Sequence, residues 1–200
     1  MATLFQNKYR VPSTRHAAWN YADSGMYFVT ICTAGMIGYF GKIINEEMCL
    51  NNIGRVAGQF WLEIPHHFPN VILDEYVIMP NHVHGIIFID NDILNHERRD
   101  EAVPQRRDEA VPRFYTGKHP RMSEISPQPR SLSVIVGSFK SVCTKKIRST
   151  APNFSWQPRF YDRIIRNERE LHNIRNYIYY NPAKWDIDRN NTCQAIKNYR

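Results

Sequence analysis

An α+β fold, an antiparallel sheet with helices packed mainly on one face, is what this sequence predicts, and three observations predict it. Aromatic and β-branched runs at 26–33, 71–79 and 82–89 read as strands. Three other stretches repeat apolar residues at spacings of three and four, the period of a helix with one buried face. The two kinds follow one another as strand, helix, strand, strand, helix, strand, helix. An antiparallel sheet of the ferredoxin-like type accommodates that order.

The first strand, 26–33, follows a polar start whose Lys8, Arg10 and Arg15 give it a basic approach. Gly35, Gly38 and Gly41 punctuate the next stretch, and 38–50 reads as a short hairpin. Ile53, Val56, Phe60 and Ile64 form the stripe of the first helix, which Pro65 ends. The strand at 71–79 leads through a Pro80-Asn81 turn into the strand at 82–89. Leu132, Ile135, Val136, Phe139, Val142 and Cys143 make the second helix. The run 156–166 reads as a further strand. Asn167 then caps the last helix, with Glu170 three residues on as in a capping box. Leu171, Ile174 and Ile178 are its apolar stripe, and Asn181-Pro182 marks its end.

The 200 residues suit one domain, 1–200. Residues 91–130 differ in kind: they hold five of the twelve prolines, alternating charge and few large aliphatics. They also carry a direct repeat, 98–104 followed by 106–112. Such a composition buries too little apolar surface to offset its ordering entropy, so 91–130 is expected to be a flexible insertion.

A net charge of +7 favours nucleic acid or an anionic surface as partner. No apolar run reaches the roughly 18 residues of a membrane span, and the start lacks the apolar core of a signal peptide. Cys32, Cys49, Cys143 and Cys193 are far apart and form no C-x-x-C pair, which reads as reduced thiols and a cytoplasmic setting.

The chemistry concentrates in two places. His82 and His84 are two apart on a strand, so both project to one face, the arrangement of a metal-ligand pair. The bland alternative is one buried and one surface histidine. Tyr177 and Asn181 are four apart on the last helix, beside its stripe. Tyr179 lies about 200° around that helix from Tyr177. A phenol, a carboxamide and two imidazoles suit a divalent ion, Mg²⁺ or Mn²⁺, that polarises a phosphate. Lys140 and Lys145 with Arg159 and Arg163, interleaved with Trp156, Phe160 and Tyr161, read either as a solvated face or as contacts to phosphates and unstacked bases.

At these residues a resemblance emerges. His82-Val83-His84 resembles the His-hydrophobic-His motif of the HUH endonucleases. The surrounding 74–85, Trp156-Gln157, and the runs 164–168 and 174–185 are similar to the REP-associated tyrosine transposases, a single-tyrosine branch. The resemblance covers about 20–90 and 130–190. It implies that His82, His84 and Asn181 hold the metal and that Tyr177 is the nucleophile. It also implies cleavage of single-stranded or hairpin DNA through a 5′-phosphotyrosine link that leaves a 3′-OH, by a monomer or a homodimer.

Two other function classes compete. A repeat-DNA-binding protein without catalysis would share the basic charge, but the presence of His82, His84, Tyr177 and Asn181 favours chemistry. A zinc hydrolase would need a third histidine or carboxylate near the pair, and the lack of a clear one argues against it. His66 and His67 fall in an expected loop after Pro65.

Overall fold

The computed structural model describes residues 19–93, 128–188 and 190–191. Positions 94–127 of the expected insertion, Lys8, Arg10, Arg15 and Cys193 lie outside the described residues. The elements are β1 (Gly25–Cys32), a hairpin of β2 (Gly41–Ile44) and β3 (Glu47–Leu50), α1 (Asn52–Leu62), α2 (Ile64–His67), β4 (Val71–Ile78) and β5 (His82–Ile89). Then come α3 (Leu132–Ile147), β6 (Tyr161–Ile165) and α4 (Glu168–Tyr179). The main sheet has the order β4-β5-β1-β6, and every neighbouring pair is antiparallel. This is the expected α+β architecture.

Alternation along the strands builds two cores. Tyr27, Val29 and Ile31 of β1 face a large cluster with Val83, Ile87 and Ile89 of β5, and α1, α2 and α3 cover it. Met26 and Phe28 face the other way, toward a smaller cluster made by Ile86, Ile165, Leu171 and Ile178. Of the described α-helices, α4 is the one that packs there. The last helix thus lies on the opposite face from the other three, and that face carries His82 and His84.

Gly85 is where the two faces constrain each other. A Cβ there would stand 2.2 Å from Cζ2 of Trp61. The Trp61 ring occupies the space a side chain would fill, meeting Phe139 of α3 edge-on at 5.4 Å and stacking near Tyr76 at 6.0 Å. Trp61 was absent from the expected stripe of α1. Ala57 and Trp61 are fully buried, while Ile53, Val56 and Phe60 lie at the margin.

A bulge interrupts β4. Leu73 pairs with Ile87 and Tyr76 with Gly85, so Asp74 and Glu75 together oppose the single residue Ile86. The residues facing the large core accordingly switch from Val71 and Leu73 to Tyr76 and Ile78.

Three expectations are corrected here. Only Tyr161–Ile165 of the stretch 156–166 is strand. Pro158 has no N–H for a ladder, and Trp156 makes just an isolated bridge to Thr33. Trp156 is a core residue, packed edge-on against Phe154 and donating Nε1–H to the Lys140 carbonyl, so it is no platform for a base. Finally, α1 stops at Leu62, and Pro65 sits in the first turn of α2, the position where a missing N–H costs nothing. His66 and His67 are therefore helical and exposed, in the layer across the sheet from the other histidines.

Candidate active site

His82 and His84 are buried at the start of β5. The β1–β5 register sets Cys32 opposite His82 and Thr30 opposite His84. Cross-strand partners share a face, so Thr30 Oγ1 reaches His84 Nδ1 at 2.9 Å. His82 Nδ1 lies 2.8 Å from Asn81 Oδ1. The amide nitrogen of Asn81 already donates to the carbonyls of Met36 and Asn190. Its oxygen therefore faces His82, which requires the proton on Nδ1 and leaves the lone pair on Nε2. An imidazole anchored through Nδ1–H and presenting Nε2 is the arrangement metal ligands use.

Tyr177 comes from α4 on the same face. Its hydroxyl is 3.2 Å from His84 Nε2, and its ring meets Phe28 edge-on at 5.9 Å. Phe28 in turn stacks with His84. Tyr179 and Tyr180 turn away and pack on each other, ring centroids 4.9 Å apart. Asn181 lies beyond the helix, one residue past the C-cap Tyr180. The chain keeps turning there, with Lys184 N–H donating to the Tyr180 and Asn181 carbonyls, and Asn181 still faces the cleft. The cleft measures about 510 Å³, and Phe28, Thr30, His84, Tyr177, Arg163 and Lys184 are among its lining residues.

Asp188 belongs to this group and was not anticipated. His82, His84 and Asp188 each offer one ligand atom, all within 4.8 Å of one another. Asn181 Nδ2 donates to Asp188 Oδ2 at 3.3 Å, while its buried Oδ1 accepts no hydrogen bond among the described residues. Two imidazoles, a carboxylate and a carboxamide oxygen are a donor set that a divalent ion fits. The expectation that no carboxylate stands near the histidine pair is overturned.

No family model matches the chain. An uncharacterized protein of Haemophilus influenzae is 36% identical over 182 residues, covering 88% of this chain and 90% of that one. The chain belongs to the same family as that protein. Among solved structures, a REP-associated tyrosine transposase bound to a REP hairpin superposes with a TM-score of 0.50, covering 86% of this chain and 74% of that one. Identity to it is 17%, so the likeness is one of fold.

Two polar clamps hold this family member's tyrosine helix. Asn167 caps it by accepting from Glu170 N–H. The Glu170 carboxylate reaches back to the Arg166 amide, one residue short of a full capping box, and to Arg163. Those two contacts, the amide first, hold its carboxyl below the usual range. Two residues before Tyr177, Arg175 forks onto Asp74, with Nε–Oδ1 at 2.8 Å and Nη2–Oδ2 at 2.5 Å. The bulge in β4 is what presents Asp74 to α4. Its hydrogen bond to Arg175 depresses the Asp74 pKa. A folded-state pKa below the unfolded one means that the clamp stabilises above the unfolded value, about 4. That contribution is lost as pH falls through the folded value. The pair is partly exposed, so its worth is small. Asp74→Asn should speed amide exchange along α4 about 2- to 5-fold near neutral pH, with little change in β5. Unchanged exchange in α4 would show that its apolar stripe alone holds it.

The basic residues separate. Arg163 lines the tyrosine cleft. Lys140 and Lys145 line a different cleft with Arg148, Gln157 and Pro158. The Lys140 ammonium donates to the carbonyls of Gln157 (2.5 Å) and Arg159 (3.3 Å), and burial lowers its pKa. It ties α3 to the segment before β6. Lys145 and Arg159 are exposed.

Proposed function

We propose that this chain is a tyrosine transposase of the REP-associated kind, a divalent-metal-dependent enzyme that nicks and rejoins single-stranded DNA at hairpin-forming repeats. The observation that carries the reading is the 3.2 Å approach of the Tyr177 hydroxyl to His84 Nε2, in a cleft where a second histidine, Asn181 and Asp188 converge.

In this reading His82, His84 and Asn181 hold Mg²⁺ or Mn²⁺. Such an ion would supply positive charge for the nonbridging phosphate oxygens as negative charge builds on them. Tyr177 Oη attacks phosphorus and forms the new P–O bond. The bond from phosphorus to the 3′ oxygen breaks, and the proton lost by the phenol is balanced by the one that the departing 3′-hydroxyl takes up. The product is a 5′-phosphotyrosine and a free 3′-OH, which reverses the step when it returns as nucleophile. Arg163 and Lys184 flank the phosphate, and Thr30 Oγ1 holds the His84 ring through Nδ1.

The test is incubation with labelled hairpin, plain single-stranded and blunt duplex DNA in Mn²⁺ or Mg²⁺. A denaturation-resistant adduct is expected with the first two and not with the duplex. Removing Arg163 or Lys145 should each flatten the log–log salt dependence of single-strand binding by about 0.7. Adduct formation that persists in a chelator, or equal binding to blunt duplex, would refute the assignment.

A further inference from the structure

Resting on that reading, we propose that Asp188 is a direct ligand of the metal ion and supplies the site's only negative charge among the described residues. Four observations lead there. Asp188 brings a carboxylate oxygen within 4.8 Å of a ligand nitrogen on each histidine. Its other tethers leave each oxygen able to accept again, since Oδ1 accepts from the Asn190 backbone amide at 2.6 Å and Oδ2 from the Asn181 side-chain amide at 3.3 Å. The carboxylate is half-buried without any arginine or lysine bonded to it among the described residues, and a buried charge calls for a partner. A divalent cation between it and the imidazoles would be that partner.

The fourth observation is how the segment is held. Asn81, which fixes the His82 tautomer through Oδ1, donates through Nδ2 to the Asn190 carbonyl at 2.8 Å. Asn191 Nδ2 donates to the Trp185 carbonyl, and Trp185 lies against His82 with ring centroids 6.0 Å apart. One asparagine thus sets the ligand nitrogen of His82 and anchors the turn that presents Asp188. Asn181 joins the two halves: Nδ2 donates to Asp188, and the buried Oδ1 has no hydrogen-bond partner among the described residues. The set becomes two imidazole nitrogens, one carboxylate and one carboxamide oxygen. An anionic oxygen is the ligand that hard ions such as Mn²⁺ and Mg²⁺ prefer, and two neutral imidazoles lack it.

The experiment titrates Mn²⁺ into the full chain without DNA and follows free Mn²⁺ by electron paramagnetic resonance. The variants are Asp188→Asn, which is isosteric and keeps the acceptor for the Asn190 amide, and His82→Ala. Asp188→Asn should weaken binding at least tenfold, and His82→Ala should abolish it. In the unmodified chain labelled with ¹³C at the aspartate carboxyls, bound Mn²⁺ should also show the ¹³C hyperfine coupling of a directly ligated carboxylate, a readout independent of how any variant folds. Wild-type affinity in Asp188→Asn together with loss in His82→Ala would overturn the role of Asp188 and leave the histidine site standing. No Mn²⁺ binding by the unmodified chain would overturn both.

Discussion

Tyr177→Phe should eliminate the covalent DNA adduct, a loss on the order of 10⁴-fold or more in cleavage. Hairpin binding should be retained. The change deletes one hydroxyl, whose visible bond is the contact to His84 Nε2 at 3.2 Å. Stability should therefore fall by no more than about 1 kcal/mol. The ring keeps its edge contact with Phe28, so α4 should stay docked. Mass spectrometry of the wild-type adduct locates the nucleotide. Finding it on Tyr179 or Tyr180, whose rings pack on each other, would overturn the mechanism. Finding adduct in Tyr177→Phe would do the same.

Gly85→Ala should be strongly destabilising. Its Cβ would sit 2.2 Å from Trp61 Cζ2 and 2.8 Å from Cη2, and the ring is boxed in by Phe139 and Tyr76. Neither a sheet interior nor a closed aromatic cluster yields that much, so a loss of about 3 kcal/mol is expected. For a chain of this size that lowers the melting midpoint by about 6–12 °C. The second change Trp61→Leu, in the same chain, should recover part of the loss by vacating the ring's position, which a double-mutant cycle measures. A midpoint within about 2 °C of wild type for Gly85→Ala would show that the helix layer shifts freely over the sheet. Because Gly85 follows His84 directly, metal affinity should drop in the same variant.

What was legible in the sequence had a period. The period of two put His82 and His84 on one face, and the burial of both follows from it. The stripe of α3 and the Asn167 cap were likewise readable, because capping chemistry and helical spacing are local. What stayed hidden depends on distant partners. Nothing in the order of elements says which face the last helix takes, and α4 took the one opposite α1 and α3. Trp156, beside Lys140 and Arg159, looked like a base-stacking residue, yet it fills the large core. Asp188 caps a short 3-10 helix, Trp185–Ile187, that comes after the turns ending α4, so no fixed offset from Tyr177 predicts it. Its place is set by a bond between residues 81 and 190. The bulge at Asp74–Glu75 carries no local signature either, although it directs Asp74 to Arg175.

The Asn81–Asn190 bond has a consequence for synthesis. Residues 19–89 supply both histidines and their anchors, but Tyr177, Asn181 and Asp188 leave the ribosome roughly a hundred residues later. At about 5–20 residues per second, a growing chain spends at least several seconds with β5 made and Tyr177 not yet translated. On the proposed mechanism, the half-built protein cannot cleave DNA during that time. Because the proposed ligands straddle the same gap, the proposed mechanism expects a truncated product to be inert for two separate reasons: it would lack Tyr177 and it would lack the oxygens of Asn181 and Asp188.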